Sequence, residues 1–239
     1  MRLTKWLPTT IAGVACTLVV HAQMSPELLD LAGRVHYGYY QADLRALEAA
    51  QAKLDGLGDA TEVIYYRDLA ALRRAQLGAR DRDVLKRAAD CASRDGIQTL
   101  KGRAAADAWV LVAACALVVG DERRVELALA HARGSDDDHP RIALVEAWRL
   151  AQSGTSDSAA LAAQLAATVA AFDAWPASID DPDWGHAEAL TALAEHTLER
   201  GEVRTARDLL ERALLLAPDY RRAVELRTAM RTRGESRAL

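Results

Sequence analysis

The chain has 239 residues, 51% of them apolar and 27% charged, with 14 glycines, six prolines and a single phenylalanine. That composition excludes a disordered chain, which buries too little apolar surface to offset the entropy of ordering, and the dominance of alanine, leucine and arginine over valine and isoleucine favours helices. Net charge is −4, of which the first 22 residues contribute +2 and residues 220–239 contribute +4, leaving −10 for residues 23–219; so acidic a body excludes a nucleic-acid groove, which needs clustered positive charge.

The chain starts MRLTKWLPTTIAGVACTLVVHAQM. Two basic residues, an apolar stretch from Trp6 to Val20 and the small-residue site Val20-His21-Ala22 have the layout of a secretory signal peptide over residues 1–22. The expected location is therefore the periplasm or cell envelope. An uncleaved anchor and a lipidated Cys16 (in Gly13-Val14-Ala15-Cys16) are the alternatives. No later segment reads as long and apolar enough to cross a membrane. The 26 arginines against 4 lysines suggest a GC-rich bacterial genome.

From Ser25 onward apolar residues recur at three- and four-residue spacing, the period of amphipathic helices. Ser25-Pro26-Glu27 is a helix start, with a capping serine, a proline at the first helical position and an acid behind it. Helices are predicted at 26–37, 41–55, 60–77, 82–94, 98–119, 122–133, 140–152, 156–174, 185–200, 203–217 and 221–232. Short connections join them as helical hairpins require. GSDDDHP (134–140) and WPASIDDPDWG (175–185) are the longer exceptions.

Once the leader is removed, Cys91 and Cys115 remain. An oxidising compartment favours pairing them. The predicted boundaries, however, put Cys91 near the end of one helix and Cys115 far along the next. Antiparallel packing then separates them by about 15–20 Å along the axes, well beyond the Cα separation of about 7 Å that a disulfide tolerates. Two unpaired thiols are expected.

Gly120 and Gly154 are 34 residues apart, and so are Ala132 and Ala166. Gly201 follows Gly154 by 47, one more period plus roughly the length of the 175–185 stretch. Each glycine ends a first helix in a tight turn. Ala206 and Ala213 let helices approach closely, Leu210 fills the space between them, and Pro218 stops the second helix.

On these residues the sequence resembles the tetratricopeptide repeat (TPR) family. The likeness is strongest over 187–220, through Leu190, Leu193, Ala194, Gly201, Ala206, Leu210, Ala213 and Pro218. It continues over 106–139 (Trp109, Val112, Ala113, Gly120, Leu129, Ala132) and 140–173 (Ala147, Gly154, Ala159, Ala166). The resemblance implies an all-α fold, a right-handed α-solenoid of stacked antiparallel hairpins over 23–239, closed by a capping helix at 221–232. It also implies a concave groove lined by the first helix of each unit. Carried onto this sequence, the groove positions are Asp107 and Val110, then Arg141, Leu144 and Trp148, then Glu188, Thr191, Glu195 and Glu199. Trp148 has the character of an anchor, and the glutamates that of a surface for a basic segment.

Chemistry-bearing motifs are absent: the sequence has no phosphate loop, HExxH, CxxC or GxSxG. His131, Asp136, Asp137, Asp138 and His139 have no specific ligand spacing, so neither metal nor cofactor is expected. Tyr37, Tyr39, Tyr40, Tyr65 and Tyr66 fit either a recognition surface or packing between the first hairpins. The expected function is that of an exported scaffold or adaptor binding a protein or peptide. An envelope enzyme accessory or cryptic hydrolase using groove carboxylates, and a self-associating structural array, are the alternatives.

Overall fold

The computed structural model describes residues 24–79, 81–95, 100–154, 158–176 and 182–236, with side chains described to Met230. The leader at 1–22 lies outside the described residues, as do residues 177–181 of the long connection. The described residues form eleven helices and no strand: α1 (Pro26–Tyr40), α2 (Leu44–Asp55), α3 (Thr61–Gln76), α4 (Arg82–Ala92), α5 (Gly102–Val119), α6 (Glu122–Ser135), α7 (Pro140–Gln152), α8 (Ser158–Ala174), α9 (His186–Glu199), α10 (Val203–Leu216) and α11 (Arg221–Ser236).

Local signals set these elements. Ser25 caps α1, its Oγ accepting from the Leu28 amide at 3.2 Å ahead of Pro26. Asp43, Asp81 and Asp121 cap α2, α4 and α6 in the same way. Gly120 closes α5 in the left-handed conformation, φ +76°, and Gly201 ends the α9 turn at φ +82°. There a side chain would be strained.

Consecutive helices pair as hairpins, α1–α2, α3–α4, α5–α6, α7–α8 and α9–α10. The first helices α1, α3, α5 and α7 lie side by side, and α11 rests on α10 and α9. This is the expected all-α solenoid of stacked hairpins. Its centre is α5, where every residue from Ala105 to Leu117 is buried. By length and composition α5 could cross a membrane, which corrects the expectation that no segment beyond the leader could. It packs instead against α3, α4, α6 and α7, with 72% of its apolar window buried. Its apolar character is that of a core helix.

Leu210 on α10 is fully buried, between the equally buried Ala206 and Ala213. Leu210→Ala should therefore cost about 2–5 kcal/mol, from lost burial plus the cavity left behind. A denaturation midpoint unmoved by that substitution would contradict the packing of α10 on α9.

The two thiols are not free. Cys91 and Cys115 form a disulfide, with Cα atoms 6.0 Å apart. The expectation failed on the connection between their helices. α4 ends at Ala92 and α5 begins only at Gly102, so nine residues join them rather than a tight turn. That length lets the end of α4 lie beside the later part of α5. Arg124, in the first turn of α6, donates from Nε to the Ala92 carbonyl at 2.7 Å and from Nη2 to the Arg94 carbonyl at 3.1 Å. Residues near the end of α4 thus sit close to where α5 hands over to α6, within reach of Cys115.

Candidate functional site

The first helices turn their side chains towards one inner face, and there the apolar stripes carry charge. On α3, Tyr66, Leu69 and Arg73 lie at spacings of three and four, so Arg73 occupies a position that the pattern reserves for a core residue. It is fully buried. A buried guanidinium needs a counter-charge, and Glu188, in the first turn of α9, supplies it: Arg73 Nη2 donates to Glu188 Oε1. Glu188 Oε2 also accepts from the Gly185 amide at 2.7 Å and from the Tyr40 hydroxyl at 3.3 Å. The Arg73 guanidinium lies over the Tyr39 ring, 3.9 Å from its centroid.

A second buried pair sits beside the first. Arg141 Nη1 donates to Asp107 Oδ1 at 2.9 Å, its Nε to the Trp184 carbonyl at 2.9 Å, and its Nη2 to the Pro182 carbonyl. These bonds hold the end of the long connection across the inner face. The Trp184 indole N–H donates to the Tyr65 hydroxyl at 2.8 Å. Gly185 has φ +104°, and a Cβ there would meet Phe172 Cζ at 2.7 Å and Leu144 Cδ2 at 2.9 Å. Glycine is thus required where the chain enters α9. Burial pushes the tyrosine hydroxyls at 39, 40, 65 and 220 upward. They remain neutral donors and acceptors at any ordinary pH.

The inner face is therefore not an open groove, and this corrects the expected geometry. Arg141, Leu144, Glu188 and Thr191 are buried, as are Asp107 and Val110. Trp148 is half-buried, its ring stacked 6.1 Å from that of Trp184. Glu195 is half-buried and ion-paired with Arg222, while Glu199 is exposed, 3.4 Å from His196 Nδ1. The three glutamates do not face a basic ligand together, because two are already committed to arginines. The physical reason is side-chain length: arginine, tyrosine and tryptophan reach across and meet the opposite wall.

The tyrosines divide. Tyr66 is buried and Tyr37 is 54% exposed. Tyr39 and Tyr40 face Tyr220, which precedes α11, with centroids 6.3 Å and 5.0 Å away. They thus pack across the array as well as within its first hairpins. His139 is buried against Trp175, with Nε2 3.0 Å from Asp107 Oδ1, and His131 stacks on Trp109. Among the described residues, no three metal-ligating side chains gather. Arg141 and His139 lie against Asp107 Oδ1, while Arg73, the Tyr40 hydroxyl and the Gly185 amide occupy the oxygens of Glu188. Two open depressions lie elsewhere. One, of 590 Å³, is bordered by Leu117, Glu146 and Arg149; the other, of 710 Å³, is bordered by Arg67, Arg87 and Arg94. Those last arginines pair with Asp55, Asp59, Asp68 and Asp83.

His36 adds a pH dependence. Burial first, then the positive charges of Arg73 and Arg141, hold its imidazole down at about 3. Its Nδ1 has no hydrogen-bond partner. The unfolded chain takes up this proton near pH 6.5, so between that value and about 3 the unfolded state binds more protons than the folded one. Stability should fall as pH drops through this window. His36→Leu should flatten the acid side of a melting-temperature profile. Parallel profiles for the two proteins would show that His36 is not the group responsible.

Against known proteins, no family model matches the chain, and no curated protein matches it. Among solved structures it is similar to YrrB, described as a TPR protein with an unusual peptide-binding site. The match has 14% identity and a TM-score of 0.38, over 84% of this chain and 92% of that one. At that level the likeness carries no argument about function, and the hairpin architecture rests on the helix packing described above.

Proposed function

We propose that this protein is an exported helical-repeat scaffold that binds a segment of another protein in the cell envelope. The observation that carries the reading is the Trp148–Trp184 stack. Trp184 is anchored by Tyr65 and by Arg141 at its carbonyl, while Trp148 remains half-buried at the margin of the inner face. A preset aromatic on a rigid frame is the usual kind of interface anchor. Support for export comes from the basic-apolar-small order of residues 1–22 and from the Cys91–Cys115 disulfide, a linkage that persists in oxidising compartments.

The test is a crosslinking pull-down from envelope extract with tagged residues 23–239, beside the same bait carrying Trp148→Ala and Glu199→Lys. Glu199 is preferred to Glu195, since Glu195→Lys would also set a lysine against Arg222 and disturb the fold. Partners captured by the first bait and lost from the second, with unchanged helical circular dichroism, are expected. Identical capture by both baits would remove Trp148 and Glu199 from the binding surface.

Self-association is favoured by a separate observation: Leu215 is 82% exposed and Leu216 49% exposed at the end of α10. Light scattering over a hundredfold concentration range tests it. A constant monomer mass would end that reading.

A further inference from the structure

We propose that the array is a closed ring with an opening seam, latched where the end of α1 meets the last unit. The latch has few parts. The Tyr40 hydroxyl donates to Glu188 Oε2 at 3.3 Å, and Gln41 Nε2 donates to the Asp219 carbonyl at 3.0 Å. The rings of Tyr39 and Tyr40 rest on Tyr220. These partners are 148 and 178 residues apart in sequence for the two hydrogen bonds. They join the two ends of the array, beside the Arg73–Glu188 and Trp184–Tyr65 contacts that cross from α3 to the start of α9.

Three observations make the seam the place where the ring opens. First, helix packing there is slight: among the described residues α1 packs chiefly along α2 and α3, and α9 and α11 are not among its main neighbours. The end of α1 reaches the last unit through the side chains of Tyr39, Tyr40 and Gln41. Second, the other end of the first hairpin is tied down. Arg67 and Arg87 bind Asp55 at the end of α2, and Arg74 binds Gln51 and Glu48, so α2 is fixed to α3 and α4. That leaves the end of α1 as the part of the first hairpin held by the latch. Third, the turn carrying the latch is strained. Ala42, next to Gln41, has φ +54°, a left-handed conformation that a residue with a Cβ resists.

Behind the seam lie polar atoms with unmet hydrogen bonds, His36 Nδ1 and Arg73 Nε, together with the Arg73–Glu188 pair. An opened seam offers these to a polar peptide segment. That last step rests on the scaffold reading; the seam itself does not.

The experiment therefore uses no partner. Spin labels are placed at the exposed positions Tyr37→Cys and Glu225→Cys, on either side of the seam. In residues 23–239 the two native cysteines, Cys91 and Cys115, are paired and take no label. Dipolar spectroscopy should show a main short-distance population and a minor longer one. Tyr40→Phe with Gln41→Ala removes both latch hydrogen bonds while keeping the ring contact, and should raise the longer population at least threefold. The same narrow distribution in both proteins would overturn the proposal, as would a broad one in the unlatched and latched proteins alike. A second arm joins Gln41→Cys to Asp219→Cys with a short bismaleimide, and should abolish the longer population. Its survival in the crosslinked protein would also overturn the proposal. A failed pull-down would leave these distances untouched, so the two readings fail separately.

Discussion

Glu188→Ala is expected to destabilise the protein by about 3–5 kcal/mol, the range for breaking a buried ion pair by removing one partner. The loss does not come from the attraction alone. Arg73 is fully buried and Glu188 is 5% exposed, so alanine leaves a guanidinium without counter-charge or water. It also strips the Gly185 amide and the Tyr40 hydroxyl of their acceptor. Each buried donor so orphaned costs about 1–3 kcal/mol. Two comparisons separate burial from charge. Asp30→Ala breaks the Arg34–Asp30 pair, whose side chains are 54% and 58% exposed, and should cost no more than about 1 kcal/mol. Arg73→Met combined with Glu188→Leu removes both charges and should recover much of the loss. Urea unfolding of the four proteins measures all of this. A cost for Glu188→Ala as small as that for Asp30→Ala would mean that water reaches the pair, and that the inner face is open after all.

Much of the fold was legible because it follows from local pattern. Ser25-Pro26 starts a helix, Gly120 and Gly201 end helices, and the leucine and alanine spacing across α10 buries Leu210. These effects act within one turn or one hairpin. The inner face was not legible, because it depends on how the curvature of the array brings distant units together. A periodic pattern says that Arg141 and Glu188 point inward; it does not say how far the opposite wall is. Some signs were present. Arg73 interrupts the stripe of Tyr66 and Leu69, and Asp107 is the one acid in the apolar helix GRAAADAWVLVAACALVV. A charge in such a place implies a buried partner. Reading Arg141 and Glu188 as ligand-facing overlooked these complementary charges. Trp148, at the margin of the face, is where the pattern and the packing agree on some exposure.

The disulfide is the second substitution site where a large effect is expected. Cys91 and Cys115 are 24 residues apart, and closing a loop of that size restricts the unfolded chain by about 3–3.5 kcal/mol. Cys91→Ser with Cys115→Ser should lose at least that much, because two hydroxyls then replace sulfur in an apolar site with both positions fully buried. Cys91→Ala with Cys115→Ala avoids the polar penalty and isolates the crosslink. Burial of both sulfurs also shapes the kinetics. Dithiothreitol alone should reduce the folded protein slowly, and reduction should accelerate in moderate urea, when local opening exposes the bond. Non-reducing peptide mapping settles the premise: a linked pair of peptides containing residues 91 and 115 is expected. Quantitative alkylation of both thiols in denatured, non-reduced protein would instead restore unpaired cysteines. It would move the end of α4 away from the later part of α5 and return the packing to a simple antiparallel turn. It would also weaken the case for export, since a reducing compartment keeps such thiols open.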